Sequence, residues 1–231
     1  MTATATQLTL SRDTLDVLKN FASINSNLLV SSGNKLTTIS PVKNVMAEAT
    51  VSETFDSEFG LWDLNKFLGV ISLFKTPTFN FSDKYVIIEE NGASVKYYFS
   101  DSSLLTTVKK TIKMPDPVIS FDWKPSVFSE MTKAASVLQL PDLCIRNSDA
   151  GIEAVVIDKA DPTSNTYSIE LPNVTYSPSA DFEMFFKVEN LKLMPGEYTV
   201  NITEKVVSQF EHKTKNLRYW IALEADSKYN G

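Results

Sequence analysis

Apolar residues recur at helical spacing in four segments of the chain. In the clearest segment Leu15, Leu18 and Phe21 lie on one predicted helix face, and neither Gly nor Pro interrupts the run. Ser11 is a suitable N-cap for this helix, and Asp13 complements the positive end of the helix dipole. The pattern predicts helices at residues 11–24, 62–74, 124–139 and 187–194.

Alternating apolar and polar residues predict strands between these helices. From Val45 to Val51 every second side chain is apolar, which is the period of a strand with one buried face. Asn91 and Gly92 lie between two apolar runs, residues 85–88 and 95–99. This dipeptide favours a tight two-residue turn, because both residues adopt positive φ readily. We therefore predict a β-hairpin at this position.

The order of predicted elements in the first half of the chain is repeated in the second half. Residues 101–122, which contain Pro115 and Pro117, show little periodicity and separate the halves. We therefore predict two similar domains, residues 1–110 and 111–231. A few helices among many strands indicate an α+β fold, with two helices in each domain on one face of antiparallel sheets.

The composition is that of an ordinary globular protein, with 43% hydrophobic and 22% charged residues. The single cysteine, Cys144, excludes an intramolecular disulfide and fits a reducing compartment. Residues 1–7 have neither the basic start nor the apolar run of a signal peptide. No stretch approaches the roughly 18 apolar residues of a membrane span. These features predict a soluble, cytosolic protein that is not associated with a membrane.

The residue types that build catalytic and metal sites are scattered along the chain. The only histidine, His212, has no second His or Cys nearby, and Cys144 lies in an apolar run, so structural roles are the simpler explanation. Glu89 and Glu90 are interpreted as a solvated turn flank. The seven glycines form neither a P-loop nor a dinucleotide fingerprint. The sequence therefore predicts no cofactor and no metal, and does not support an enzyme.

The net charge of −6 argues at first against a nucleic-acid partner. The four predicted helices, however, contain seven basic and five acidic residues, a net +2, so the rest of the chain carries −8. These helical charges fit either ordinary solvated faces or one shared basic surface. In the second case Lys and Arg would attract DNA phosphates without reading the base sequence. Charge alone leaves both explanations open.

Four segments carry a resemblance to a known family: residues 18–26 (LKNFASINS), 62–69 (WDLNKFLG), 193–198 (LMPGEY) and 222–227 (ALEADS). In this order, along almost the whole chain, they resemble the sliding clamps of T-even-type bacteriophages. The resemblance implies the DNA clamp fold of proliferating cell nuclear antigen, and a homotrimeric ring around double-stranded DNA that tethers the replicative polymerase. It also implies an ATP-dependent clamp loader, docking of the C-terminal peptide of the phage DNA polymerase, activation of late transcription through transcription factors, and a location in the host cytoplasm.

The resemblance, together with the predicted elements, also assigns surfaces to particular residues. The expected DNA-facing residues, all on predicted helices, are Arg12, Lys19, Lys66, Lys133 and Lys192. In this fold subunits join through edge strands, which covers their unpaired backbone groups. The expected interface residues are Val95, Tyr98, Tyr167 and Ile169, and the expected client-peptide pocket lies near Leu104, Leu105 and Val118. Ordinary solvation or packing is the alternative for each set, and a non-enzymatic phage structural or scaffold protein is the alternative function.

Overall fold

The computed structural model describes residues 7–109, 112–149, 151–205 and 207–231. The predicted domain boundary between residues 110 and 111, and all but the last residue of the N-terminal stretch 1–7, lie outside the described residues. The chain divides into two compact units, Met1–Thr111 and Ile112–Gly231. No helix in the described part has the length and apolar character required to cross a membrane.

The first unit combines two α-helices with antiparallel strands. The helices are α1 (Arg12–Ile24) and α2 (Leu64–Ile71). The strands are β1 (Gln7–Leu8), β2 (Leu28–Val30), β3 (Gly33–Ile39), β4 (Val45–Phe55), β5 (Phe59–Leu61), β6 (Thr78–Phe81), β7 (Tyr85–Glu90) and β8 (Ala93–Tyr98). They form a sheet of order β1-β6-β7-β8 and a second run of order β4-β3-β2-β5.

Both helices of the first unit were predicted, and the structure confirms them with small changes at their ends. The Ser11 side chain accepts a hydrogen bond from the backbone N–H of Thr14 and caps α1, and Asp63 caps α2 in the same way. Phe21 is fully buried on α1, as is Leu64 on α2. The apolar faces of the two helices therefore supply much of the core of this unit.

The predicted hairpin at Asn91-Gly92 is confirmed. Asn91 and Gly92 have φ values of 51° and 83°, the positive values that a two-residue turn between right-twisted strands requires. The flanking residues Glu90 and Ala93 are paired across β7 and β8. The turn thus fixes which side chains of β8 lie on each face of the sheet.

The second unit contains the helix α3 (Pro125–Leu138) and antiparallel strands. The strands are β9 (Ile119–Trp123), β10 (Asp142–Ser148), β11 (Gly151–Ile157), β12 (Tyr167–Glu170), β13 (Thr175–Tyr176), β14 (Asp181–Lys187), β15 (Tyr198–Ile202), β16 (Val207–His212), β17 (Leu217–Ala222) and β18 (Lys228–Asn230). One sheet has the order β12-β11-β10-β14-β18, and the other strands follow the order β13-β9-β15-β16-β17. The α+β class is confirmed in both units.

The fourth predicted helix, residues 187–194, is wrong. Only Val188–Asn190 forms a single 3₁₀ turn. Leu191 and Leu193 are buried while Lys192 between them is exposed, which is the period of an extended chain. The backbone of Met194 is held by the hydroxyl groups of two buried tyrosines from β15 and β17. The bond with Tyr198 spans 4 residues in sequence and the bond with Tyr219 spans 25. Together they satisfy the extended backbone without a helix.

Candidate nucleic-acid interface and partner surfaces

The N-terminus of α1 is anchored by a buried carboxylate on β4. Glu53 is 7% exposed, and its carboxylate accepts hydrogen bonds from the backbone N–H of Ser11 and the hydroxyl of Thr14. Burial acts to raise the pKa of Glu53, but these hydrogen bonds outweigh burial and hold the pKa below its usual value. The negative charge also complements the helix dipole. Glu53 therefore fixes the helix end that carries Arg12.

Arg12 and Lys19 lie about two turns apart on one side of α1. Both are exposed, and both line a groove of about 410 Å³ in the first unit. Lys19 also forms an exposed ion pair with Asp16, with Nζ and Oδ1 3.2 Å apart. Such an exposed pair contributes little to stability, so Asp16 restrains the Lys19 side chain only weakly.

A third cation, Lys75, lines the same groove and was missed in the sequence. It follows α2 in a turn held by Glu90, whose carboxylate accepts hydrogen bonds from the backbone N–H groups of Lys75 (2.7 Å) and Thr76 (2.9 Å). The bond from Lys75 is the largest of the effects that lower the pKa of Glu90. Glu90 is therefore not the simple solvated turn flank that was predicted. The contact between Glu90 and Lys75 is distant in sequence, so a local pattern does not place Lys75 at the groove that Arg12 and Lys19 line.

The other predicted DNA-facing residues are exposed but differ in their setting. Lys66 lies on α2 and Lys133 on α3. Lys192 lies in the extended segment that replaces the fourth helix, so its assignment to a helix face is wrong. The three observed α-helices contain four basic and three acidic residues, a net +1 in place of the +2 expected. The total charge of the helices is therefore a weaker indicator of a DNA-facing surface than the local grouping of cations.

The predicted interface residues lie on two sheet edges. Val95 and Tyr98 are on β8, which pairs only with β7 among the described strands. Tyr167 and Ile169 are on β12, which in the described residues pairs only with β11. The side chain of Tyr98 is 64% exposed. Each unit therefore presents an edge strand with backbone groups available to another chain.

The predicted client-pocket residues have unequal surroundings. Leu104 is 65% exposed, whereas Leu105 is 8% exposed and packs so closely on Gly60 that a Cβ there would lie 2.8 Å from its Cδ1. Val118, in the second unit, is half-buried and donates its backbone N–H to the carbonyl of Ile202. Of the two leucines, Leu104 is thus the one that presents its side chain to solvent.

The segment that follows Leu105 is fastened to the end of α1. The backbone N–H of Thr106 donates to Oδ1 of Asn27 at 3.1 Å, and the Nδ2 of Asn25 donates to the carbonyl of Ile39 at 2.8 Å and of Thr106 at 3.4 Å. Asn25 is buried and is the C-cap of α1. The side-chain amides of Asn25 and Asn27 therefore fix the position of Thr106 beside the end of α1.

The residues considered for catalysis or metal binding, Cys144 and His212, are packed within the fold. Cys144 is buried among Val155 and Phe185, and burial raises the pKa of its thiol to about 12, which keeps it protonated and unreactive. His212 packs against Gly196, and burial lowers its pKa. The described residues contain no group of three or more His, Cys, Asp or Glu placed to hold a metal ion.

Comparison with known proteins identifies the family. Residues 11–113 match the family described as DNA polymerase processivity factor, and residues 120–225 match the gp45 sliding clamp, C terminal. The sliding clamp of Escherichia phage RB69 is 31% identical over 229 residues, which cover 96% of this chain and 99% of that protein. The chain belongs to the phage sliding clamp family. The sliding clamp of Vibrio phage KVP40 is 28% identical, over 94% of this chain and 99% of its own length.

Solved clamp structures share the fold of this phage sliding clamp. The structure titled C-terminal region of FEN-1 bound to A. fulgidus PCNA has a TM-score of 0.71 and 12% identity, over 96% of this chain and 99% of that one. The Helicobacter pylori beta clamp bound to a DNA ligase peptide has a TM-score of 0.64 and 15% identity, over 98% and 68%. The predicted DNA clamp fold is thereby confirmed. The protein is a DNA polymerase processivity factor and not an enzyme.

Proposed function

We propose that this clamp closes as a ring of three copies around duplex DNA and keeps the replicative polymerase on its template. The ring is held by topology, so its contacts with DNA need only weak, sequence-independent attraction. The observation that carries this proposal is the gathering of Arg12, Lys19 and Lys75 around one groove beside α1 and α2. Lys66, Lys133 and Lys192 add further exposed positive charge.

The attraction requires no base-reading side chains. Lysine and arginine reach phosphates directly or through water, and they release condensed counterions from the duplex as they do so. Because these side chains lie exposed, their interaction with DNA is screened strongly by salt. A clamp that binds in this way can move along DNA, since neighbouring phosphates are equivalent.

Partner proteins are proposed to dock as short peptides near Leu104, Leu105 and Val118. The archaeal and Helicobacter clamps described above each hold a partner segment, which supports peptide docking as the mode of recognition. The polymerase C-terminal peptide is the proposed ligand. An ATP-dependent loader that opens the ring, activation of late viral transcription and a location in the host cytoplasm complete the proposal, and they rest on the family resemblance.

The DNA-facing assignment is tested by replacing Arg12, Lys19 and Lys133 together with alanine. The variant is expected to assemble normally but to lower polymerase processivity at moderate salt. For each subunit of the ring whose three side chains contact phosphates directly, the slope of log affinity against log salt falls by about 2.7, since each phosphate contributes roughly 0.9. Processivity is measured from product length on a primed circular template.

A matched control replaces three other exposed lysines, Lys84, Lys205 and Lys228, with alanine. The net charge of this control changes by the same amount as that of the test variant. The comparison therefore separates the effect of local DNA contacts on processivity from the effect of overall charge. Control processivity should equal that of the wild type. Equal processivity for both triple variants at every salt concentration would contradict the DNA-facing assignment, and a native mass of one chain would contradict the ring.

A further inference from the structure

The edge strand β8 has one face directed toward α2. Val95 and Tyr97 are paired with Ile88 and Val86 of β7, and both of these partners are fully buried. The ring of Tyr97 contacts the ring of Phe67 on α2, with the centroids 5.1 Å apart. This face of the edge is therefore apolar and continuous with the core of the first unit.

The opposite face of β8 presents a positioned positive charge. Lys96 places its Nζ 3.8 Å from the ring centroid of Tyr85 and 5.5 Å from that of Tyr98. The two tyrosine rings are themselves 5.7 Å apart. Cation–π attraction to these rings restricts the Lys96 side chain. The ammonium group is thus held at the edge of the sheet before any partner arrives.

The edge strand β12 has the same two-faced construction. Tyr167 and Ile169 are paired with Val156 and Ala154 of β11, and both partners are buried. The Tyr167 hydroxyl donates to Oε2 of Glu130 on α3 at 3.4 Å. The face of β12 that carries Tyr167 and Ile169 is therefore the one directed toward the helix.

The other face of β12 presents a negative charge beside a like charge. Glu170 lies directly opposite Glu153 of β11, an arrangement that destabilises a sheet. Glu153 pairs with Arg146, whose Nε lies 2.8 Å from Oε1, whereas Glu170 forms no ion pair within the described part of the chain. A cation on an added strand would supply the partner that Glu170 lacks.

We propose that a second copy of this chain pairs its β12 with β8, and that an ion pair between Lys96 of one copy and Glu170 of the other selects the register. This proposal rests on the ring assembly proposed above and names the contact that specifies it. When the two edges join, the helix-directed faces bring Val95 and Tyr97 beside Tyr167 and Ile169, and the opposite faces bring the two charges together. In a sheet, directly opposite and diagonal positions are both within reach of long side chains.

The alternation of faces explains why this pair can select a register. A slip of one residue would turn Lys96 toward the apolar face of the partner and turn an apolar side chain toward Glu170. The remaining edges of these two sheets fit less well. The edge strand β1 has two residues and β18 has three, and β18 carries Lys228, which has the same sign as Lys96. Among these four edges, β8 and β12 are therefore the complementary pair.

The test is a charge exchange in the full chain. The variants are Lys96→Glu, Glu170→Lys and the double variant, and sedimentation velocity over a range of protein concentrations measures association. At low salt each single reversal is expected to weaken association about tenfold at each interface, and the double variant is expected to restore it. In about 1 M salt the single variants should approach the wild type, because surface ion pairs are screened.

Matched controls are Lys228→Glu, a reversal on another edge strand, and Glu58→Lys, a reversal in an exposed turn; both should associate as the wild type does. Thermal unfolding reports whether each variant is folded. If a reversal prevents folding, the neutral variants Lys96→Gln and Glu170→Gln replace it, and each should weaken association about threefold.

The outcomes separate this proposal from the ring itself. A wild-type chain that remains monomeric at all concentrations would overturn the ring assembly. A wild-type chain that assembles, with single variants that assemble equally well at low salt, would overturn the ion pair and leave the ring intact. A double variant that associates no more strongly than either single variant would likewise overturn the ion pair and leave the ring intact.

Discussion

Replacement of Glu53 tests how the first unit fixes the helix that carries Arg12. The Glu53 carboxylate is the buried acceptor for the backbone N–H of Ser11 and for the hydroxyl of Thr14. Glu53→Ala removes both hydrogen bonds and leaves two donors beside a small cavity. Glu53→Gln removes the charge, keeps one oxygen acceptor and replaces the other oxygen with an NH2 group, which can donate to the Thr14 hydroxyl. The alanine variant therefore loses both contacts and the charge, whereas the glutamine variant loses the charge and one acceptor.

The expected cost follows from the number and type of these bonds. A hydrogen bond to a charged group contributes about 1.5–3 kcal/mol, and an unsatisfied buried donor costs about 1–3 kcal/mol. Ser11 is only partly buried, so water can reach its N–H in the alanine variant. Glu53→Ala should therefore lower the free energy of unfolding by about 3 kcal/mol, and Glu53→Gln by about 1 kcal/mol.

Urea unfolding at neutral pH, followed by circular dichroism, measures these changes. The control is Glu58→Ala, which truncates an exposed carboxylate in the turn after β4 and should change the free energy of unfolding by less than about 0.5 kcal/mol. If Glu53→Ala is as stable as this control, the anchoring role of Glu53 is refuted.

The same carboxylate makes a prediction about pH. The pKa of Glu53 is lowered in the folded protein from an ordinary value of 4.5, so its charge stabilises the fold above that value. This contribution is lost as the pH falls through the lowered, folded pKa. The difference in unfolding free energy between the wild type and Glu53→Gln should therefore be constant near neutral pH and shrink below about pH 4.5. A difference that stays constant through this range would contradict the assignment.

The remaining predictions concern two buried positions. Gly60→Ala should displace Leu105, because the new Cβ would lie 2.5 Å from the carbonyl oxygen of Ser100 and 2.8 Å from the Leu105 side chain; proteolysis near Leu105 should become faster, and an unchanged cleavage rate would contradict this packing. Asp142→Ala should lower the free energy of unfolding by about 3 kcal/mol, because Asp142 is 1% exposed and pairs with Lys187 at 2.7 Å. Urea unfolding measures this loss, and a change below about 0.5 kcal/mol would count against it.

Local patterns were sufficient to predict much of the fold. The first helix was visible because capping, dipole and apolar spacing all agree within a few residues of Ser11. The hairpin at Asn91-Gly92 was visible because its turn chemistry is local. The strand β9 was missed, although Ile119, Phe121 and Trp123 alternate into the core, because this short run lies beside the proline-containing connector.

The features that were missed depend on distant contacts. Residues 187–194 contain apolar residues compatible with a helix, but Tyr198 donates to the Met194 carbonyl and Tyr219 accepts from the Met194 N–H, which holds Met194 in an extended chain. Lys75 lines the same groove as Arg12 and Lys19, and Glu90, which is 15 residues away in sequence, holds the turn that contains it. The contact of Met194 with Tyr219 spans 25 residues and that of Lys75 with Glu90 spans 15, so a local pattern indicates neither. Likewise, the two faces of β8 and β12 are distinguished only by the neighbouring strands and helices that each face contacts.

The proposal that this clamp is held on DNA by topology is tested by comparing its retention on circular and linear duplexes. The protein is loaded with an ATP-dependent clamp loader onto nicked circular DNA, and bound clamp is measured after gel filtration at moderate salt. We expect the clamp to be retained on the circle and to be released when the circle is cut once by a restriction enzyme. Equal retention on circular and linear DNA, or no retention on either, would contradict it.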